Sequence, residues 1–557
     1  MEPLLRLLGD DVHYLVPLPV VLPLFAAGVK LALGIRRPRL QQWLSVGALT
    51  VVLVVGFLLM GAADLFGPQA VQIGGWEAPY GITLVADRLS ALMVTVSAAI
   101  TLAVLVYSIG QGMAGKAEVA PLSVYQPTYL ILVAGVSNAF LAGDLFNLYV
   151  GFEILLTASY VLLTLGGTQS RMRAGAIYVV VSLVSSVLFL IALGLVYAAT
   201  GTVNMAQLAE RLPEISNELR LVLEVFLVMA FGIKAAVFPL AAWLPDSYPI
   251  APAPVTAVFA GLLTKVGVYA IIRSQTLLFP GTQINTFLLW VAMATMIMGI
   301  LGAVAQNDIK RLLSFTLVSH IGYMVFGVAL GNELGLAGAV FYVAHHITVQ
   351  TTLFLITGLI ERRGGSTSLE NLGGLARIAP MLAILFFIPA MNLGGIPPLS
   401  GFLGKVALLQ AGAQAGTPMA YALMATAVAT SLLTLYVIAR VWNSAFWRTP
   451  AEGMVAEPGT VLEYNEDSSD PSTAALGPGE AVGPSSRIGD ASSGPTATTV
   501  VTSAVLPRSM VGATVALVAM GLSLTVFAGP LIAYSSEAAA ELMARTPYIE
   551  AVLGGSR

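Results

Sequence analysis

The chain has 557 residues, of which 57% are hydrophobic and only 10% are charged, whereas soluble domains carry about 25% charged residues. A water-soluble protein of this length could not cover its apolar surface with so few charges, so the composition excludes a soluble globular protein. The net charge of −3 gives no sign of nucleic-acid binding, and the absence of cysteine excludes disulfides, iron–sulfur clusters and thiolate metal sites.

Long apolar runs divide the chain into about fourteen predicted membrane-spanning helices. A helix of about 20 apolar residues is long enough to cross the roughly 30 Å hydrocarbon core of a bilayer. The sequence therefore predicts an all-α polytopic membrane protein. In chain order the predicted spans are 15–35, 42–62, 88–110, 127–143, 145–166, 174–199, 220–243, 252–274, 284–305, 311–330, 335–360, 380–411, 419–446 and 509–534.

The basic residues fall mainly in alternate loops of this pattern. Arg36, Arg37 and Arg39 follow the first span, and Arg171 and Arg173 follow the fifth. Because cytoplasmic loops are enriched in Lys and Arg, we expect these loops to be cytoplasmic and both termini to lie outside the cell membrane.

One segment, 447–508, differs from the rest of the chain. It is rich in Ser, Gly, Pro and acidic residues and has no apolar periodicity. Such a segment buries too little apolar surface to offset the entropy of ordering its backbone. We expect a cytoplasmic, largely disordered linker before the last helix, and we favour a tolerated insertion over a regulatory or docking element.

Ionisable residues lie deep inside several predicted spans, where a charged group costs at least about 2.5–3.5 kcal/mol. In chain order they are Glu153, Lys234, Lys265, His320, His345, His346 and Lys405. The presence of any one of them could be explained by a structural ion pair, or by a long side chain whose charged end reaches the membrane–water interface. Together they need another explanation, because one glutamate cannot balance three lysines. Serial groups that gain and lose protons suit a proton pathway, so the pattern favours ion transport. His320 is the least specific member, since a core histidine would look the same.

The sequence lacks the signatures of a chemical active site. It has no Walker motif, no glycine-rich nucleotide loop after a strand and no His or carboxylate cluster with metal-ligand spacing. We therefore expect no catalytic residue and no cofactor, and the driving force must come from an ion gradient or another subunit. Asp144 and Glu224 are conceivable cation ligands, but the sequence places no second oxygen cluster beside either, so no metal-ion site is assigned.

Proline interrupts two of the charged spans. Pro239 follows Lys234 in the seventh span, and Pro397 and Pro398 precede Lys405 in the twelfth. Because proline removes a backbone donor and frees a carbonyl, we expect both helices to be broken near the middle of the membrane. Two lysine-bearing breaks five spans apart match an inverted five-helix repeat, made of spans 4–8 and 9–13. The predicted units are 1–126 with the first three helices, the repeats 127–274 and 284–446, the linker 447–508, and 509–557 with the last helix and tail.

Several of these segments resemble a known family. The motifs "GIKAAVFPLAAWLPD", "DIKRLLSFTLVSHIGYM" and "GGIPPLSGFLGK" are similar to the proton-translocating membrane subunits shared by respiratory complex I, membrane-bound hydrogenases and Mrp-type cation/proton antiporters. Within that group, "LFNLYVGFEILLTASYVLL" and "GTVNMAQLAERL" resemble the D subunits of Mrp-type Na⁺/H⁺ antiporters. The resemblance extends over roughly residues 80 to 440 and leaves the linker uncovered.

The resemblance implies a function and a set of partners. The chain would be the proton-translocating subunit of a multisubunit Na⁺/H⁺ antiporter in a bacterial cell membrane, assembled with subunits A, B, C, E, F and G. It would be a secondary transporter subunit and not an enzyme. The main alternative is a proton-pumping subunit of a complex I-like NADH–quinone oxidoreductase or a membrane-bound hydrogenase. A non-conducting scaffold is the alternative outside transport.

The resemblance also implies roles for the buried groups in the first repeat. Glu153 and Lys234 would form a switchable ion pair between the fifth and seventh helices. Lys265 would be the central relay of the pathway.

In the second repeat, His346 would connect the central relay to Lys405 through a broken eleventh helix. Lys405 would be the terminal group that serves one side of the membrane. Relatives often have a lysine four residues after the histidine, where this chain has Gln350. We therefore expect the connection to depend more on His345, His346 and water.

Overall fold

The computed structural model describes residues 3, 5–6, 9–34, 37–111, 122–449, 460–461, 501–502 and 506–554. The described chain is a bundle of long helices with two short antiparallel strand pairs. Strands β1 (Gln69–Gln72) and β2 (Thr83–Ala86) pair between the second and third long helices, and β3 (Thr460–Val461) pairs with β4 (Val501–Thr502). The long helices are α1 (Leu18–Leu33), α2 (Pro38–Phe66), α3 (Arg88–Gln111), α4 (Leu122–Leu141), α5 (Leu145–Thr164), α6 (Gln169–Thr200), α7 (Asn217–Ala235), α8 (Ala253–Leu278), α9 (Ile284–Val304), α10 (Ile309–Ala329), α11 (Glu333–Gly364), α12 (Pro380–Gly394), α13 (Ser400–Ala415), α14 (Pro418–Val441), α15 (Arg508–Val526) and α16 (Ala528–Ala544).

Twelve helices in the described ranges are long and apolar enough to cross a membrane. Each coincides with one of the predicted spans, so the prediction of an all-α polytopic membrane protein is confirmed. The two remaining predicted spans, 220–243 and 380–411, are interrupted by breaks. The first is helical only as far as Ala235, the end of α7, and the second consists of α12 and α13 on either side of its break. The full span count, the orientation of the termini and the division into two repeats stay predictions.

The helices that carry most of the ionisable residues form the centre of the bundle. In the most apolar windows of α8 and α11 every residue is buried, and in α10 94% are buried. In α1, α14 and α15 only 33% are buried, and exposed apolar side chains such as Phe25 and Leu432 cover the outer surfaces. Because hydrocarbon solvates apolar side chains and not ionised ones, this arrangement places the polar groups where protein and water can satisfy them.

Both predicted helix breaks are present. α7 ends at Ala235, and Ala236 has a left-handed φ of 57° before the chain reaches Pro239. α12 ends at Gly394, Gly395 has a φ of 81°, and α13 begins only at Ser400. The prolines that interrupted the sequence pattern therefore mark real interruptions of the helices.

The expected break in the eleventh helix is wrong. α11 is one continuous α-helix of 32 residues, capped at its start by Asn332, whose side chain accepts from Gly335 N. No proline lies within its range, so nothing removes a backbone donor from it. Irregular turns lie in α8 instead, where Phe259–Leu263, just before Lys265, is π-helical and so is Ser274–Leu278 at the end of the helix.

Helices α15 and α16 close the bundle at its C-terminal end. They pack against α3 and α11, and Arg88 at the start of α3 forms an ion pair of 2.6 Å with Glu541 of α16. Of the predicted linker 447–508, the structure describes 447–449, 460–461, 501–502 and 506–508. The rest of that prediction lies outside the described residues.

Candidate functional site

Glu153 of α5 and Lys234 of α7 are joined through a third residue, Ser186 of α6. Lys234 and Ser186 are buried, and Glu153 is half-buried. Lys234 Nζ donates a hydrogen bond of 3.1 Å to Ser186 Oγ, and Ser186 Oγ donates to Glu153 Oε1. In the described part of the chain the two charged groups make no direct ion pair. The structure thus brings the predicted pair together through a hydroxyl group.

The local backbone explains the position of Lys234. The lysine is in the last turn of α7, where helix carbonyls carry partial negative charge that favours a cation. Its Nζ also contacts Ser182 O at 3.4 Å. Gly267 of α8 packs against the same helix end, and a Cβ there would lie 2.5 Å from Ala235 N. The glycine therefore allows α8 to approach the end of α7.

Lys265 is fully buried on α8 and is held by a backbone carbonyl. Its Nζ donates to Ala260 O at 2.7 Å. Ala260 lies in the π-helical turn, where the regular i→i−4 bonding is displaced, so that its carbonyl can accept from a side chain. A small cavity with room for about one water molecule lies among α5, α6 and the end of α7. Lys234, Ser182 and mostly apolar or aromatic side chains line it, and Leu263 is the one lining residue from the π-helical turn.

Three histidines lie together on α10 and α11. His320 Nδ1 is 2.7 Å from Tyr342 OH, and the ring centroids of His320 and His346 are 5.0 Å apart. His345 Nδ1 lies 3.0 Å from Ser400 Oγ, at the start of α13. All three rings are fully buried, and both nitrogens of His346 and the Nε2 atoms of His320 and His345 have no hydrogen-bond partner in the described structure. Because buried polar atoms are normally hydrogen-bonded, these nitrogens are suited to binding water or a proton.

Lys405 of α13 extends its ammonium to the second helix break. Its Nζ donates to Leu393 O at 3.2 Å, to Gly394 O at 3.3 Å and to Ser431 Oγ at 2.9 Å. The two carbonyls are at the C-terminal end of α12, where the break leaves them without helical partners. The ring centroid of Tyr323 lies 5.4 Å from Nζ. Among the described residues, neutral groups of the broken helix and of α14 thus solvate this buried ammonium.

Gln350 contacts the backbone of α10 and not a charged group. Its Nε2 donates to Leu313 O at 2.8 Å, and its Oε1 has no partner among the described atoms. The side chain is buried one helical turn from His346 on α11. It therefore has an acceptor free for water although it cannot itself carry a charge.

Comparisons with known proteins place the chain in a family. A family model described as "NADH:quinone oxidoreductase/Mrp antiporter, TM" matches residues 142–434. The chain is 42% identical over 440 residues to the D subunit of the Na⁺/H⁺ antiporter of Alkalihalophilus pseudofirmus, an alignment that covers 78% of this chain and 87% of the relative. The chain belongs to the family of Na⁺/H⁺ antiporter D subunits.

Two further comparisons agree with this D-subunit family. The D subunit of the Bacillus subtilis Na⁺/H⁺ antiporter is 39% identical over 433 residues, with coverage of 77% of this chain and 86% of the relative. A chain of the Mrp complex structure from Dietzia sp. superposes with a TM-score of 0.83 at 33% identity, with coverage of 98% and 99% of the two chains. The family resemblance predicted from the motifs is confirmed.

The structure contains a further buried lysine, besides Lys234, Lys265 and Lys405, that was not predicted from the sequence. Lys30 of α1 is 1% exposed, and it donates to Ser45 Oγ at 2.5 Å and to Gln126 Oε1. The signal was present, because Lys30 lies inside the predicted span 15–35. It lies in the last turn of that helix, where a lysine is commonly assumed to reach water.

A buried ion pair was also missed. Asp87 and Arg273 form a contact of 2.6 Å, and both side chains are almost completely buried. Arg273 Nη2 also donates to Tyr269 OH, which donates to Phe140 O. Arg273 lies at the end of a predicted span and Asp87 in the turn before another, so no periodicity connects them. The pair fastens the β2–α3 junction to α8.

The two conceivable cation ligands are buried but are not part of a carboxylate cluster. Asp144 caps α5 and accepts from Asn147 N at 2.6 Å, and Glu224 Oε1 accepts from Gln275 Nε2 at 3.0 Å and from Thr282 Oγ1 at 2.5 Å. Within the described ranges, no group of three or more His, Cys, Asp or Glu residues could hold a metal ion. These contacts assign no cation site.

Proposed function

We propose that this chain is the proton-translocating subunit of a multisubunit Na⁺/H⁺ antiporter. The observation that carries the proposal is the series of buried ionisable groups along the centre of the bundle. Within the described ranges, Lys265 and Lys405 have only neutral partners. A buried charge without a counter-charge is costly, so the presence of such groups at several positions needs a functional reason. Proton transfer is that reason, because each of these groups can exist with or without the proton.

The proposed pathway begins at Glu153 and Lys234. Glu153 is half-buried near the middle of α5, so part of its side chain reaches the outer face of this chain, where a neighbouring subunit of the complex would pass it a proton. Passing the proton to Lys234 moves it into the buried interior, beside the cavity that faces α8. A water molecule in that cavity would extend the polar contacts of Lys234 toward α8, whose Leu263 lines the same cavity.

The histidine cluster forms the proposed connection from Lys265 to Lys405. His346 and His320 offer unpartnered ring nitrogens, and His345 contacts Ser400 at the start of α13. Five residues further along α13, Lys405 extends its ammonium to the carbonyls of the second break. Because α11 is unbroken, the transfer would proceed along side chains and water and not along exposed backbone.

Exchange of Na⁺ would take place elsewhere in a hetero-oligomeric complex. The sequence relatives are named as D subunits of Na⁺/H⁺ antiporters, and the structural relative is a chain of an Mrp complex. We therefore propose the other Mrp subunits, A, B, C, E, F and G, as partners in a bacterial cell membrane. Both termini would lie outside and the 447–508 segment in the cytoplasm.

The second candidate is a proton-pumping subunit of a complex I-like oxidoreductase, because the matching family model includes NADH:quinone oxidoreductase in its description. Purification of the native complex distinguishes the two functions. Co-purified flavin or iron–sulfur subunits support the redox enzyme, and small membrane subunits without redox groups support the antiporter.

The test of the pathway is Na⁺-dependent proton flux in everted membrane vesicles that contain the whole complex. Glu153→Ala, Lys234→Ala and Lys405→Ala should each abolish flux. Arg311→Ala is the control, because Arg311 is exposed and its ion-pair partner in the described structure is the exposed Asp246, an interaction worth about 0–1 kcal/mol. Unchanged flux in all three variants, with the complex assembled, would refute the proposal and support a scaffold role.

A further inference from the structure

Ser186 lies between the two charged groups of the first repeat and contacts both. Lys234 Nζ is 3.1 Å from Ser186 Oγ, and Ser186 Oγ is hydrogen-bonded to Glu153 Oε1. An ammonium group can only donate, and an ionised carboxylate can only accept. The hydroxyl must therefore accept from Lys234 and donate to Glu153. The three groups form a hydrogen-bond chain with one direction.

We propose that Ser186 is the proton-transferring link between Lys234 and Glu153. In the transfer, the N–H bond of the Lys234 ammonium breaks and a new O–H bond forms at Ser186 Oγ. At the same time the original O–H bond of Ser186 breaks and an O–H bond forms at Glu153 Oε1. Lysine and glutamate both become neutral, serine is regenerated, and no other reactant is needed. The reverse sequence restores the charges and carries a proton inward.

Other contacts of Lys234 offer no equivalent route. Its second hydrogen bond is to the carbonyl oxygen of Ser182, which has no proton to pass on, and its third neighbour is the ring of Phe152, with the centroid 5.6 Å away. In the described part of the chain, Ser186 alone has a hydroxyl that bonds to both Glu153 and Lys234. Removal of this hydroxyl leaves the two groups without a connecting donor and acceptor.

The competing explanation is that Ser186 only fills the contact between helices. Its neighbour Ser185 is a direct example, because it is fully buried and its hydroxyl donates to Ala230 O of α7 at 3.0 Å. Ser185→Ala therefore removes a buried hydroxyl from the same helix without touching either charged group. It is a matched control for Ser186→Ala.

The experiment measures Na⁺-dependent proton flux in vesicles with the complete complex, normalised to the assembled complex. A positioned proton-transfer group commonly contributes about 10²–10⁴-fold, so Ser186→Ala should lower flux by more than about tenfold. Ser186→Thr, which keeps the hydroxyl, should retain most of the flux, and Ser185→Ala should resemble the wild type. Ser186→Cys keeps a side chain of similar volume but provides only a weak hydrogen-bond donor and acceptor. Its flux should be as low as that of Ser186→Ala, which would show that the loss comes from the missing hydroxyl and not from an empty cavity.

The inference rests on the proposed function of the Glu153–Lys234 pair, and its failure can be distinguished from that of the pair. If Ser186→Ala keeps wild-type flux while Lys234→Ala and Glu153→Ala lose it, the serine link is overturned and the pathway stands. Reduced flux in both Ser186→Ala and Ser186→Thr also overturns the link, because the hydroxyl then fails to rescue. If Lys234→Ala and Glu153→Ala also keep full flux, the proposed function itself fails.

Discussion

Gly267→Ala adds one methyl group at the contact between α8 and the broken end of α7. A Cβ at this position would lie 2.5 Å from Ala235 N, 2.8 Å from Ala235 Cα and 2.9 Å from the carbonyl carbon of Lys234. All three are backbone atoms, which cannot rotate away as a side chain would. Because non-bonded carbon atoms prefer separations of about 3.5–4.0 Å, α8 and the end of α7 must move apart by about 1 Å.

This movement widens the gap between Lys234 and Lys265, two residues before the glycine. Overpacking of this kind costs about 1–3 kcal/mol, which a large helical bundle tolerates. A displacement of about 1 Å in a reacting geometry can lower a rate by about 100-fold. We therefore expect an assembled complex whose Na⁺-dependent proton flux falls by at least about tenfold.

The assay is quenching of a pH-sensitive dye in everted vesicles, normalised to the amount of assembled complex. Gly194→Ala is the matched control, since Gly194 lies in α6 and no heavy atom would be within 4 Å of its added Cβ. Normal flux in Gly267→Ala, with normal assembly, would refute the claim that the close approach of α7 and α8 is needed for transfer between the lysines.

Three further predictions follow from single contacts. Arg273→Gln removes the partner that lies 2.6 Å from the buried Asp87, so the complex should lose about 3–5 kcal/mol of stability. The measurement is the thermal unfolding temperature, which should fall; an unchanged temperature would contradict a structural role for the pair. Gln350→Leu removes one hydrogen bond to a backbone carbonyl, worth about 0.5–1.5 kcal/mol, and should leave proton flux nearly normal; loss of flux would make Gln350 part of the pathway. Gly401→Ala would place a Cβ 2.0 Å from a backbone oxygen of α12 and 3.0 Å from His345 Nε2. The histidine must then move, so proton flux in vesicles should fall sharply. Wild-type flux would exclude His345 from the proposed pathway between Lys265 and Lys405.

Hydropathy and proline positions were sufficient to predict the fold class and the two helix breaks. Each break depends on local chemistry, namely a proline near a residue with positive φ, and that chemistry is visible in the sequence. The break expected in α11 had no proline to produce it, and the helix is continuous. The break in α11 was expected only from the resemblance to relatives, whereas the two confirmed breaks were predicted from prolines in this sequence. The residues of the chain itself were therefore the better guide.

The buried ionisable groups were predictable because charges are rare in apolar spans, whereas their connections were not. Serines are common in membrane helices, so nothing in the sequence distinguished Ser186 from Ser185, and only the packing of α5, α6 and α7 does so. The π-helical turn that offers Ala260 O to Lys265 was invisible for the same reason. Lys30 was missed because its place near a helix end suggested access to water, while packing against α2 and α4 buries it.

The central claim is that protons cross this subunit through its buried lysines, and Lys265 tests it most directly because this residue is fully buried and has no counter-charge among the described residues. The measurement is the pH change inside liposomes that contain the purified complete complex, after a Na⁺ gradient is imposed. Lys265→Ala should eliminate this change while Arg311→Ala preserves it, with equal amounts of assembled complex. A wild-type pH change in the Lys265→Ala complex would contradict the account.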